Sequence, residues 1–120
     1  GSLSIAVQYH AEVEPVLKVS PASFFPQPDV ESTVVRMRRR PYAKAPKDQA
    51  LFFEVVRSAF AMRRKTLCNN LANFQKMGRE QAQKAIEMAG LSPTDRGERL
   101  SIDDYISLSD AVLAVLAERP

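Results

Sequence analysis

One segment of the sequence combines three cations with two amides over eight residues. The cations are consecutive: Arg63, Arg64 and Lys65. They stand where a helix is predicted to begin, and positive charge there is unfavourable by roughly 0.3–1 kcal/mol each because it opposes the helix dipole. The free N–H groups of a first turn attract anions, and the amides of Asn69 and Asn70 can bond sugars or bases. The pattern favours a phosphate-binding surface. The alternative is a solvated turn whose cations pair with Glu54 or other acids.

A second segment presents aromatic rings in a stiff loop. Phe24 and Phe25 are followed by Pro26 and Pro28, and proline fixes one backbone dihedral and restricts the residue before it. A rigid, presented phenyl ring suits stacking on a flat ligand such as a nucleobase. The alternative is that both phenylalanines belong to the hydrophobic core.

Other kinds of chemistry find little support in this sequence. His10 is the only histidine and Cys68 the only cysteine, which excludes an internal disulfide framework and argues against a zinc site or any other metal site. One histidine without a surrounding motif gives no support for Ser/His/Asp catalysis. The four glycines are too scattered for a phosphate-binding loop. We expect a reducing, cytoplasmic compartment.

Size and composition limit the chain to one small globular unit. It has 120 residues, of which 45% are apolar and 26% charged, so it is neither disordered nor large enough for a two-domain enzyme. No apolar run approaches 18 residues, and no charged-then-apolar leader is present, so neither a membrane span nor a secretion signal is expected.

Charge is distributed unevenly along the chain. Between Arg36 and Lys65 there are ten Lys and Arg residues and two acids, although the net charge of the whole chain is only +3. A basic block inside an otherwise mildly acidic chain is typical of a polyanion-binding surface. An ordinary solvated surface is the alternative.

The first forty residues predict an incomplete sheet. Residues 3–11 fit either a helix or a strand, whereas residues 14–19 and 32–37 are strand candidates. Two strands alone are marginal in water. We therefore expect more sheet beside them in a longer protein cut upstream of Gly1, and a partner chain or a dimer covering the exposed hairpin here.

The second half predicts a small helical bundle after a linker at residues 38–47. Asp48 is a candidate N-cap for a helix with a buried stripe from Leu51 to Phe60. Further helices are expected at residues 65–74 and 79–89, and a last one after the capping box of Ser101 and Asp104. We expect that last helix to bury six apolar side chains: Ile102, Tyr105, Ile106, Val112, Leu113 and Leu116. Residues 51–62 and 65–74 also fit a DNA-binding helix-turn-helix, which is the main alternative.

Three motifs in order resemble one enzyme family. Residues 24–32 fit F-x-P-x-P-x-V-x-S, residues 60–71 fit F-x-x-R-R-K-T-L-x-N-N-L, and residues 96–101 fit R-[AG]-E-x-L-S. Together they are similar to the C-terminal part of the small-subunit ribosomal RNA adenine dimethyltransferases, and the resemblance covers essentially the whole chain.

The resemblance implies a fold and an activity. Such an enzyme has a Rossmann-like domain that binds S-adenosylmethionine and a small helical C-terminal domain. It dimethylates N6 of two adjacent adenines near the 3′ end of small-subunit rRNA, within the immature small ribosomal subunit. Residues 1–40 would then be the last helix and final two strands of the methyltransferase domain, and residues 41–120 the helical rRNA-binding domain. The expected fold class is mainly α, with a helical bundle preceded by one helix and a β-hairpin from a truncated Rossmann-like domain.

The resemblance also assigns roles to residues. Phe24 would stack on the flipped-out target adenine, in a loop stiffened by Pro26 and Pro28. The rRNA would be held by a second set: Arg63, Arg64, Lys65, Asn69, Asn70 and Arg96. The cofactor loop and the motif that holds the adenine amino group are absent from this sequence, so we expect this piece to bind no cofactor and to be inactive without the missing N-terminal domain.

Overall fold

The computed structural model describes residues 1–120 and contains five α-helices and one β-hairpin. The helices are α1 (Ser2–His10), α2 (Gln49–Ala59), α3 (Leu67–Ala72), α4 (Gly78–Met88) and α5 (Ile102–Ala117), and the strands are β1 (Ala11–Val19) and β2 (Ser32–Arg39). Three short 3-10 turns lie at Pro21–Ser23, Phe74–Lys76 and Gly97–Arg99. The structure confirms a mainly helical chain with one helix and a hairpin before the helical part.

The hydrophobic core lies among α2, α3, α4 and α5. Helix α5 packs on α2 and α4, and α3 packs on α4 and α2. Phe52 and Tyr105 are the largest side chains that are fully buried. The predicted stripe of α2 is buried from Leu51 to Ala59, whereas Phe60, which follows the end of the helix, is half-buried.

The buried face of α5 differs from the prediction at its C-terminal end. Leu113 and Leu116 are only half-buried, and Leu108, Ala111 and Val115 are buried instead. The stripe through residues 105, 108, 112 and 115 follows helical spacing, and positions 113 and 116 fall at its edge. The other four predicted residues of this face are buried as expected.

Local hydrogen bonds set the ends of these helices. The Oδ1 of Asp48 accepts from the N–H of Leu51 at 2.9 Å, as the sequence predicts. The capping box at the start of α5 is complete, because the Oγ of Ser101 accepts from the N–H of Asp104 and the Asp104 carboxylate accepts from the N–H of Ser101. Helix α4 ends at Met88, and two residues later Gly90 has a φ of 77°, which is easily adopted only by glycine.

The chain divides into two contact units, residues 1–6 with 43–120 and residues 7–42. The second unit contains the hairpin, in which β1 pairs antiparallel with β2 and the register shifts between Pro15 and Leu17. Strand β2 extends to Arg39, so Arg38 and Arg39 belong to the strand and not, as predicted, to the linker. Apolar side chains of the hairpin, among them Val13, Val35 and Met37, are exposed.

None of the helices combines the length and apolar character that a membrane-spanning segment needs.

A buried hydroxyl joins α5 to the turn at Gly97–Arg99. The Tyr105 hydroxyl donates to the carbonyl oxygen of Gly97 at 2.6 Å. A Cβ on Gly97 would lie 2.8 Å from the carbonyl oxygen of Ala59, so the backbone at Gly97 approaches the end of α2 closely. Burial, together with the nearby charge of Asp104, raises the pKa of Tyr105 well above its usual value of about 10. This bond fixes Arg96, which immediately precedes the turn.

We expect Tyr105→Phe to lower the free energy of unfolding by about 1–3 kcal/mol at neutral pH, because the buried carbonyl of Gly97 loses its donor. Because the pKa of Tyr105 is higher in the folded state, its contribution is present below pH ~10 and is lost as the pH rises through and beyond that value. Denaturant unfolding should therefore show that the wild-type chain and the variant differ in unfolding free energy at neutral pH, and that this difference becomes smaller at alkaline pH. A difference that is constant across this range would contradict the buried-hydroxyl assignment.

Candidate nucleic-acid interface

The three consecutive cations lie in the turn between α2 and α3. Arg63, Arg64 and Lys65 are all exposed, and the N–H of Lys65 donates to the carbonyl oxygen of Met62 at 3.0 Å. Helix α3 begins only at Leu67, with Thr66 as its N-cap, since the Thr66 hydroxyl accepts from the N–H of Asn69 at 3.3 Å. The predicted helix start at residue 65 was therefore wrong by two residues. The cations precede the cap and do not lie in the first helical turn.

The N–H groups at the start of α3 are already bonded within the protein. Leu67 donates to the carbonyl oxygen of Asp95 at 2.7 Å, and Cys68 donates to that of Pro93 at 3.4 Å. Our expectation that these groups attract a phosphate was wrong, because the loop before Arg96 occupies them. Any attraction for anions at this place comes from the side chains of the turn.

Asn70 positions the cationic turn. Its side chain is 3% exposed, and its Nδ2 donates to the carbonyl oxygens of Ala59 at 2.9 Å and Met62 at 3.1 Å. Its Oδ1 accepts from the N–H of Met62 at 3.1 Å. The sequence predicted that Asn70 contacts RNA. The structure differs, because this amide is buried and its hydrogen-bonding groups are used to hold the backbone between α2 and the cations.

Asn69, the other predicted amide, is half-buried on α3. Its Oδ1 accepts from the Nη1 of Arg79 at 3.4 Å, and its carbonyl oxygen accepts from the Nδ2 of Asn73 at the same distance. Asn69 therefore lies in a polar surface that connects the start of α3 with the start of α4.

Arg96 lies close to the cationic turn although it is more than thirty residues away in sequence. Arg63, Lys65 and Arg96 line one cleft, together with Glu98 and the backbone at the end of α2. Arg64 is exposed in the same turn but does not line the cleft. The structure thus brings three of the predicted RNA-binding cations together, with the acid Glu98 in the same lining.

The cations of this cleft have no acidic partners. The structure contains three ion pairs, which join Lys18 to Glu31, Lys44 to Asp103 and Lys84 to Glu118. None of them includes Glu54 or a cation of the turn. No ion pair therefore supports the alternative in which the cations of the turn pair with Glu54 or other acids, although Glu98 lines the same cleft.

The basic block of the sequence divides into parts with different surroundings. In the hairpin, Arg36 and Arg38 lie opposite Glu14 and Glu12 on the neighbouring strand, where opposite charges attract. Lys44 pairs with Asp103 at 3.8 Å. The three consecutive cations of the turn before α3, in contrast, form no ion pair.

The proline-rich loop lies between β1 and β2. Phe24 is 44% exposed and Phe25 is fully exposed, so neither ring belongs to a core in the described chain. The Oγ of Ser20 accepts from the N–H of Ala22 and begins the 3-10 turn that precedes Phe24. The rings are therefore presented, as the stacking hypothesis requires, with Pro26 and Pro28 directly after them.

Sequence reasoning missed the roles of three residues that position or extend the cationic surface. Thr66 carries a recognisable signal, since a threonine before an apolar helical pattern is a common N-cap. Tyr105 was predicted to be buried, but its bond to Gly97 depends on how α5 packs. Arg79 has no signal in the sequence that distinguishes it from other surface cations.

Comparison with known proteins gives a consistent result. The family model for ribosomal RNA adenine dimethylase matches residues 1–113. The curated protein named ribosomal RNA small subunit methyltransferase A from Geobacillus thermodenitrificans is 45% identical over 117 residues, and its namesake from Bacillus mycoides is 46% identical over 118. Each alignment covers 94% of this chain but only 40% of the relative, so the chain spans less than half the length of these proteins.

Solved structures share the fold. The 23S rRNA methyltransferase ErmE matches with a TM-score of 0.62 and 21% identity, over 93% of this chain and 46% of that one. A dimethyladenosine transferase from Plasmodium falciparum matches with a TM-score of 0.62 and 18% identity, over 90% of this chain and 46% of that one. The fold, the three sequence motifs and the near-complete match of the family model agree, and the chain belongs to the ribosomal RNA adenine dimethylase family.

Proposed function

We propose that this chain is the rRNA-docking part of an S-adenosylmethionine-dependent enzyme that dimethylates two adjacent adenines near the 3′ end of small-subunit rRNA. The observation that carries the proposal is the cleft lined by Arg63, Lys65 and Arg96, whose cations form no ion pair, in a chain of this family. The partner is the rRNA of the immature small ribosomal subunit. The two curated relatives, which are named as small-subunit rRNA methyltransferases, support this choice of RNA.

Docking by this surface is electrostatic. Cations that neutralise RNA phosphates release bound counterions, which supplies a favourable and salt-dependent free energy. A cation that already forms an ion pair must first lose its acid, so unpaired cations contribute more. The fixed backbone around the turn also reduces the ordering cost of binding.

The described residues do not fit S-adenosylmethionine. A Gly-rich cradle at a helix N-terminus is the usual phosphate- or nucleoside-binding device of such folds, and the internal glycines here serve other purposes. Gly78 and Gly90 lie at the two ends of α4, and the backbone of Gly97 is packed against Ala59 and Tyr105. We place the cofactor, and therefore methyl transfer, in the methyltransferase domain that the longer relatives contain, and propose that this piece alone is inactive.

Phe24 is assigned to the target base. An extruded adenine needs a flat apolar surface to replace the stacking that it loses in the RNA. The exposed ring of Phe24, before Pro26 and Pro28, can supply that surface. In this proposal Phe24 acts on the base, while the cationic cleft acts on the backbone.

The hairpin is proposed to continue the sheet of the methyltransferase domain. Two isolated strands are marginally stable, and their apolar side chains Val13, Val35 and Met37 are exposed. A second copy of this chain is the alternative cover for that surface.

The DNA-binding alternative has no comparable support. It would use α2 and α3 as a helix-turn-helix, yet α3 has only six residues and the relatives are named for RNA substrates. Competition between an rRNA hairpin and duplex DNA of equal length tests this alternative directly.

Neutralising the turn should weaken the salt dependence of RNA binding. For the triple variant Arg63→Gln, Arg64→Gln, Lys65→Gln, we expect the slope of log affinity against log salt to fall by roughly 2, at about 0.7 per lost contact. Fluorescence anisotropy with the 3′-terminal small-subunit rRNA hairpin across a salt series measures it. The matched control is Lys18→Gln, Lys84→Gln, Arg119→Gln, which removes the same charge from cations that already have partners. Equal salt slopes in the two variants would show that the cations of the turn do not contact the RNA.

Removing the amide that positions the turn should weaken binding without removing charge. For Asn70→Ala we expect a loss of about 1–3 kcal/mol in unfolding free energy, because Ala59 and Met62 lose their hydrogen-bond partners. Without these hydrogen bonds the turn must become ordered when RNA binds. If that ordering costs about 1.4 kcal/mol, RNA affinity should fall about tenfold. Asn73→Ala, on the exposed end of α3, is the control and should change neither quantity appreciably. If a folded Asn70→Ala chain binds RNA with unchanged affinity, the position of the turn does not matter for RNA docking.

Phe24→Ala in the full-length protein should lower turnover far more than rRNA affinity, because the ring contacts only the extruded base. Single-turnover methylation and equilibrium binding on the same small-subunit substrate measure the two quantities. Equal losses in both would make Phe24 a docking residue.

A further inference from the structure

A second cationic cluster follows α3 in sequence and lies at the start of α4. It consists of Lys76 and Arg79, both exposed, which lie on either side of the start of α4. Neither residue takes part in any of the three ion pairs of the structure. Glu80, the acid in the first turn of α4, pairs with neither of them.

Polar contacts connect this cluster with the turn before α3. Thr66, which directly follows Lys65, accepts from the N–H of Asn69, and the side chain of Asn69 accepts from Arg79. The surface from Lys65 to Arg79 is thus one continuous polar strip along α3. Asn69 is the third residue of α3, and the carbonyl oxygen of Arg79 lies 3.9 Å from the Sγ of Cys68, so Arg79 lies beside the first turn of that helix.

The backbone at Lys76 adopts an unfavourable conformation. Gln75 and Lys76 have φ angles of 48° and 57°, in the left-handed region that residues other than glycine rarely adopt. Arg79 adds a positive charge in the first turn of α4, where the helix dipole opposes it. The charge of Arg79 is a cost to the isolated fold that a bound polyanion would offset.

The cations at the other end of α4 provide a contrast. The Nζ of Lys84 pairs with the carboxylate of Glu118 at 2.6 Å, and the guanidinium of Arg119 donates to the Oε1 of Gln81. Positive charge without an acidic partner is therefore found at the start of α4, on the side connected with the turn.

From this arrangement we propose that Lys76 and Arg79 form a second phosphate-binding cluster, which holds the backbone of the same RNA next to the contacts of the turn. Asn69 orients Arg79 within it. This inference rests on the proposed RNA-docking function and extends its footprint along α3.

The test uses the 120-residue chain and oligouridine, which removes base sequence as a variable. An oligomer of about 12 nucleotides carries enough phosphates to contact both clusters at once. The variant is Lys76→Gln, Arg79→Gln, and the matched control is Lys84→Gln, Arg119→Gln. With this oligomer we expect the salt slope to fall by about 1.4 in the variant and to be unchanged in the control.

The outcomes separate the two proposals. If the wild-type chain binds the oligomer and the variant and control have the same slope, the second cluster is overturned while RNA docking by the turn stands. If the wild-type chain binds neither the oligomer nor the rRNA hairpin at low salt, the docking function fails, and the second cluster fails with it.

Discussion

The side chain of Asn70 is the constraint on which the cationic surface depends. A buried amide is costly unless its groups are hydrogen-bonded, and Asn70 meets this requirement with the backbone of Ala59 and Met62. Those bonds fix the chain where α2 ends and the turn begins. The positions of Arg63 and Lys65 therefore follow from a neutral residue, which itself cannot reach the solvent.

The end of α2 is also where the second cationic segment is attached. The backbone at Gly97 lies against the carbonyl of Ala59, which also accepts from Asn70. Tyr105 holds the Gly97 carbonyl from the side of α5. The carbonyl of Ala59 thus contacts both the residue that holds the turn and the segment that follows Arg96. The residues that make these contacts belong to, or are held by, the core helices α2, α3 and α5.

Local signals were sufficient to predict much of the helical part. Asp48, Ser101 with Asp104, and the residues around Gly90 determine helix ends through neighbours in sequence, and the structure confirms each. Helix α3 was harder, because three cations before Thr66 looked like a first helical turn when they are the turn preceding it. The burial of Asn70 could not be predicted at all. It depends on the distance between α3 and the end of α2, which is a property of tertiary packing.

The main-chain bond from Leu67 to Asp95 has a consequence for recognition. It ties the residue that follows Thr66 to the residue that precedes Arg96, so the two cationic segments are joined through backbone and cannot separate independently. In the docking proposal, such a surface would bind phosphates in a fixed arrangement, and phosphate contacts carry no base sequence directly. Selectivity would then depend on the spacing of phosphates along a folded strand, and so on RNA shape.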